Sequence, residues 1–227
     1  MVEQERKDSA LTAGMRVHTG FVGKIVTIVA VIWSLYAILY ASRILDRLGL
    51  YIAALPHNSL SLAFLLTLCF LLMPMTKREP RNKLPWHDVL FILVAVSGPL
   101  YNFFFWEKNV DRYAFSQFYP FETVLCYATV ITLLEATRRV IGIAFPLITV
   151  FFLLYTFVGP YVPGALRVPP LSLADITNFL AYQDSGIYGM AMGLAATILI
   201  LFNIFSQFLF TSGAGEFFIK IALSLMG

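Results

Sequence analysis

The chain has 227 residues, 59% of them hydrophobic and 13% charged, with 21 Phe and a mean hydropathy of +0.79. A soluble domain of this length has too little interior to hide so much apolar surface, so the bilayer is its solvent and a water-soluble globular fold is excluded. The 16 Lys and Arg against 13 Asp and Glu leave a formal net charge of +3, too small and too scattered for a nucleic-acid partner.

Residues 1–23 read as a polar cytoplasmic tail without an Ala-x-Ala cleavage pattern, so the first apolar segment is expected to be retained as a span. That span covers about Lys24 to Ala41. In the next stretch Arg43, Asp46 and Arg47 fall to one side and Ile44, Leu45 and Leu48 to the other, the pattern of a short amphipathic helix in the interface. A second span is expected over Leu60 to Met75, capped by Asn58-Ser59. In TKREPRNKLPWHD, Lys77, Arg78, Arg81 and Lys83 outnumber Glu79 and Asp88, which assigns this loop to the cytoplasm.

The third span runs from Val89 to Phe105, with a kink expected at Gly98-Pro99. The mixed aromatic and acidic segment from Trp106 to Glu122 fits the outer interface. The fourth span, Thr123 to Leu134, extends helically through Glu135, Arg138 and Arg139. These three stand at i, i+3 and i+4 and share a helix face. They form either a solvated intrahelical ion pair or a fixed cytoplasmic anchor, or a contact for a second membrane domain. A fifth span follows from Ile141 to Val158 and stops at Gly159-Pro160 and Pro163-Gly164.

In the outer loop Ser172 is placed to cap a short helix from Ala174 to Leu180, with Asp175 favourable near its start. The last span covers Ile187 to Phe210. There Gly189, Gly193, Ala196, Ile200, Asn203 and Gln207 recur every three or four residues and make a helix-packing face. Gly213 and Gly215 end it, and Glu216 and Lys220 are paired at i, i+4 on the next helix. The apolar finish suggests the front part of something longer. The expected fold is an all-α polytopic membrane helix bundle of about six transmembrane helices plus short interfacial ones, with both ends cytoplasmic.

No acid-base, nucleophile or metal constellation can be assembled: His18, His57 and His87 fall outside the expected spans and in no ligand motif. The chain is therefore read as a non-enzyme without a cofactor or metal site of its own. Cys69 and Cys126 read as small core residues. Asn203 and Gln207 would leave polar groups unsatisfied in hydrocarbon, so they either hydrogen-bond a neighbouring helix or border a translocation pathway.

Three stretches carry a resemblance: LLEATRRVIGIAFPLITVFFLLYTFVGPYVPG, DSGIYGMAMGLAATILILFNIF and FLFTSGAGEFFIKIALSLMG. From Leu133 to Gly227 they resemble, in order and spacing, the front portion of the fused permeases of TRAP (tripartite ATP-independent periplasmic) transporters, the branch working with TAXI-type binding proteins. The resemblance implies a small four-helix scaffold over residues 24–139, and a connection with the start of the large transport portion over 140–227. It also implies a periplasmic TAXI-type solute-binding protein as partner, with the remainder of the large permease portion and the lipid bilayer. Sodium is implied as the coupling ion of the complete transporter only, its site and the solute site lying outside this chain. The outer loops, Arg43 to Asn58, Trp106 to Glu122 and Tyr161 to Gly186, are where such a binding protein is expected to dock. The alternative is a small structural or assembly membrane protein that stabilises a partner complex.

Overall fold

The computed structural model describes residues 15–16, 20–76 and 84–226. Most of the expected tail, His18 and the basic loop with Lys77, Arg78, Arg81 and Lys83 lie outside the described residues. The protein is an all-α polytopic helix bundle, with no strand among the described residues. In chain order its helices are α1 (Phe21–Ala41), α2 (Ile44–Arg47), α3 (Ala54–Leu72), α4 (Trp86–Ala114), α5 (Pro120–Val140), α6 (Ala144–Val158), α7 (Leu173–Ala181), α8 (Met190–Thr211) and α9 (Ala214–Met226).

Five of these, α1, α3, α4, α6 with its 3-10 extension to Tyr161, and α8, are long and apolar enough to cross a bilayer. The remaining expected span, α5, has 21 residues but carries Glu122 near one end and Glu135, Arg138 and Arg139 near the other. Helix α3 is the centre: Leu55, Leu62, Leu66 and Phe70 are all buried along it. It packs along α4, which packs along α5, while α1 lies against α3 and the second half of α8.

Several expected boundaries move. Helix α3 begins at Ala54 and not after Asn58-Ser59, because those polar residues are buried inside it, not capping it. The interfacial helix shrinks to four residues, with Arg43 in the left-handed region at φ 57 and paired to Asp46 at 2.9 Å. Helix α4 continues past Phe105 to Ala114 and reaches 29 residues, about 44 Å at 1.5 Å per residue. Pro99 is accommodated within it. The collar residues end α5, and Gly142, at φ 105, separates them from α6. The Ser172 cap is as expected: its hydroxyl accepts from the Asp175 N–H at 3.1 Å, and the Asp175 carboxylate accepts from the Ser172 N–H at 3.1 Å.

Helix α7 and the turn after it are buried against the helices that precede residue 139. Ile176, Thr177, Asn178, Ala181, Tyr182 and Tyr188 are all buried. The division expected at residue 139 is thus crossed by packing contacts. Helix α6, by contrast, is almost wholly exposed, with only Pro146 buried. In hydrocarbon that is the surface a lipid or another helix covers.

Candidate functional site

Two buried charge assemblies tie α4 to α5, one at each end of the pair, which therefore runs antiparallel. At the first, Asp88 sits in the opening turn of α4 with no exposure. Arg139 reaches its Oδ1 at 2.8 Å from the end of α5, and Arg16, from the segment before α1, reaches its Oδ2 at 2.5 Å. Arg139 also holds Glu135 Oε1 at 2.8 Å, and Arg138 holds Glu135 Oε2 at 2.7 Å. The guanidinium of Arg139 lies over the rings of Phe70 and Phe91, at 4.8 and 5.3 Å. It also donates to the Met73 carbonyl at 3.2 Å, while Arg138 donates to that of Met75 at 3.2 Å.

The collar read from the sequence is therefore more than a solvated pair: Arg138 stays partly exposed, but the Arg139 side chain is fully buried. It supplies three members of a five-membered chain, Arg16–Asp88–Arg139–Glu135–Arg138, that clamps the ends of α3, α4 and α5. Such a network is stable in a low-dielectric setting only because each charge is paired and hydrogen-bonded. Arg16 and Asp88 carry no local signal for it, since their partners are far away in sequence.

At the opposite end Glu122, fully buried in the first turn of α5, accepts from four groups. Arg112 donates at 2.8 Å, Tyr101 at 2.7 Å, Tyr113 at 3.0 Å and the Tyr119 N–H at 2.7 Å. The Tyr113, Phe118 and Tyr182 rings stack beside it, with Tyr113 and Tyr182 4.3 Å apart.

Between the two ends, polar side chains of three helices grip the segment from α7 to α8. Asn58 of α3 donates to the Tyr188 carbonyl at 2.7 Å, and Asn102 of α4 to that of Ala181 at 3.0 Å. Trp106 donates to the Tyr182 carbonyl at 3.3 Å, and the Tyr182 hydroxyl to that of Glu122 at 3.0 Å. Tyr188 is buried with its phenol among Ser59, Asn102 and Thr129. Burial drives its ionisation well above the ordinary tyrosine range, so it serves as a neutral hydrogen-bonding group.

Beside this grip a cleft of about 400 Å³ opens, lined by Tyr40, His57, Asn58, Asp184, Gly189 and Gly193 among others. The small residues read from the sequence divide here. Gly193 faces Asn58, where an added Cβ would come within 3.3 Å of the amide nitrogen, and Ala196 is fully buried. Gly189 precedes α8 in a tight backbone approach to Asp184 and Gly186. Asn203 and Gln207 are exposed and not brought to this interface. The Asn203 amide donates instead to the Leu199 carbonyl of its own helix at 2.8 Å.

His57, expected in a loop, is buried in α3. Its ring stacks on Tyr40 at 3.4 Å with a 2° interplanar angle, and its Nδ1 shares a hydrogen bond with the Tyr36 hydroxyl at 3.0 Å. His87 opens α4 beside Asp88. The two cysteines are free, and each thiol lies 3.9 Å from a backbone carbonyl. Among the described residues no three of His, Cys, Asp or Glu converge as a metal site.

No protein-family model, curated protein or solved structure matches this chain.

Proposed function

We propose that this chain is the scaffold-bearing part of a secondary, sodium-coupled, binding-protein-dependent solute permease of the TRAP type, working in a bacterial inner membrane. The observation that carries the reading is a contrast within one chain. Helices α4 and α5 are fixed to each other by buried charges at both ends, and the end of α3 is held at one of them through the Met73 carbonyl. Helices α6 and α9 and the second half of α8 present exposed apolar side chains almost throughout. A rigid frame with unfilled apolar faces is what a moving transport portion needs to slide against. The resemblance from Leu133 to Gly227 supplies the identity of that portion.

In this reading the frame carries no solute. It holds position while a larger portion, with the sodium and solute sites, crosses the bilayer beside it. A TAXI-type binding protein delivers solute to the face bearing α2 and α7. With the basic loop inside, the segment before α1 is cytoplasmic.

The test is uptake in proteoliposomes containing the complete permease, with its binding protein outside and an inward sodium gradient. The reading requires that removal of either the binding protein or the gradient stops uptake, and that the 227-residue chain alone gives none. Gradient-independent uptake, or uptake by the chain alone, would overturn it.

A further inference from the structure

Helix α8 is not uniform. Its ladder is α-helical from Met190 to Leu194, widens to a π turn from Ala195 to Leu199, and is α-helical again from Ile200 to Thr211. At the close of the wide turn the Ile200 N–H reaches back to the Ala195 carbonyl, five residues away. A π turn is one residue inserted into an α-helix, at the expense of the regular ladder.

Its position coincides with a change of surroundings. Before it, Met192 is buried and Gly193 lies on Asn58, itself bonded to the Tyr188 carbonyl, and Ala196, at the start of the wide turn, is buried too. After it, no residue from Ile200 to Thr211 is buried, and this half packs on α1 and on α9. Polar side chains cover the backbone on both sides of the wide turn. Thr197 donates to the Gly193 carbonyl at 2.7 Å and Asn203 to the Leu199 carbonyl at 2.8 Å. In hydrocarbon an irregular ladder needs such local donors. The Ala196 backbone carbonyl lies toward the imidazole of His57, whose Nε2 does not meet full hydrogen-bond geometry with any partner.

We propose that the π turn at Ala195–Leu199 is a built-in pivot, about which the Ile200–Thr211 half and α9 swing while the Met190–Leu194 half stays clamped. His57 is the latch: with the Tyr36 hydroxyl donating to Nδ1, the Nε2 proton is free to engage the Ala196 carbonyl and set one position of the swing. Thr197 and Asn203 keep backbone carbonyls satisfied as the turn opens and closes. This pivot does not depend on the transport reading.

Nitroxide labels on the full chain in lipid nanodiscs, with Cys69 and Cys126 replaced by Ala, test it by double electron–electron resonance. One pair, Val124→Cys with Met190→Cys, reports the clamped half; the other, Val124→Cys with Phe208→Cys, reports the free half. The second distance distribution is expected to be clearly broader than the first, and deletion of Leu199, which restores an α ladder, to narrow it to the width of the clamped pair. His57→Phe is expected to broaden the second pair further and leave the first unchanged. Equal widths in the parent chain overturn the pivot, whether or not the deletion variant folds. A broad distribution that survives the deletion in a folded variant overturns it too, and an unaltered second pair in His57→Phe removes the latch.

Discussion

Asp88 and Arg139 stand 51 positions apart in the chain, yet their side chains meet at 2.8 Å with neither exposed to solvent. Each is shared, Asp88 with Arg16 and Arg139 with Glu135. Asp88→Asn leaves two buried guanidinium groups short of a counter-charge. Breaking one side of a buried pair costs about 3–5 kcal/mol, so the variant should show a large loss of thermal stability in detergent. Arg138, whose side chain is about one-third exposed, is the internal control. Arg138→Ala should cost only about 0–1 kcal/mol, as surface pairs do. Comparable losses in the two variants would contradict the network.

Glu122 does the corresponding work at the other end, but with mostly neutral donors. Glu122→Gln keeps the size and removes the charge that Arg112, Tyr101, Tyr113 and the Tyr119 N–H converge on. Hydrogen bonds to a charged group contribute about 1.5–3 kcal/mol, and a loss in that range is expected. Because Arg112 is partly exposed, it can regain water, so Glu122→Gln should be milder than Asp88→Asn. Chemical unfolding of the two variants side by side gives the order.

How much of this was legible beforehand depends on the range of the interaction. Hydropathy located the long spans, and Ser172-x-x-Asp175 announced the α7 cap because both partners lie within one turn. The start of α3 has no such signal: Pro56, His57, Asn58 and Ser59 look like a loop, and His57 is covered by Tyr40 of α1 while Asn58 bonds the remote Tyr188 carbonyl. Helix α4 outruns the end expected at Phe105: Glu107, Lys108, Asp111 and Arg112 look like an interface, whereas Arg112 turns inward to Glu122. The collar lies within one turn and is legible, whereas Arg16 and Asp88 join it from remote parts of the chain and are not. A single inserted residue in α8 leaves its hydropathy untouched, so the π turn has no sequence signal.

Gly98 is required where α4 crosses α5. A Cβ there would overlap the Thr129 hydroxyl and come within 3.0 Å of the Leu125 carbonyl. Gly98→Ala is expected to destabilise the protein by about 1–3 kcal/mol, the usual cost of overpacking. Adding Thr129→Ala should restore only part of the loss, since the backbone contact remains. Full recovery of the melting temperature would show that the side chain alone set the spacing.

The α7 cap should respond to acid. Ser172, first through its hydroxyl and then through its N–H, holds the Asp175 carboxyl below the usual carboxylate range. A carboxyl whose folded pKa is depressed contributes stability that is fully present above its unfolded value and is lost as pH falls through the folded one. The protection factors of α7 amides, exchange rates corrected for the intrinsic pH dependence of exchange, should therefore be constant near neutrality and fall only below about pH 3.8, the ordinary value for this group. In Asp175→Asn the acid-dependent step should disappear.

The segment from α7 to α8 is held by side chains that are each replaceable without touching the spans' apolar packing. Asn58→Leu removes the donor to the Tyr188 carbonyl, and Asn102→Leu the donor to that of Ala181. Each leaves a buried carbonyl unsatisfied, at about 1–3 kcal/mol. The two sites bond different points of one segment, so their effects on its local opening should reinforce each other, while α4–α5 pairing through Glu122 and Asp88 is retained. Amide exchange read by mass spectrometry separates these outcomes. Residues 178–189 should exchange faster in each variant and faster still in the double variant, with α5 still protected. Loss of protection spread evenly over the whole chain would mean instead that the segment belongs to the cooperative core and has no opening of its own.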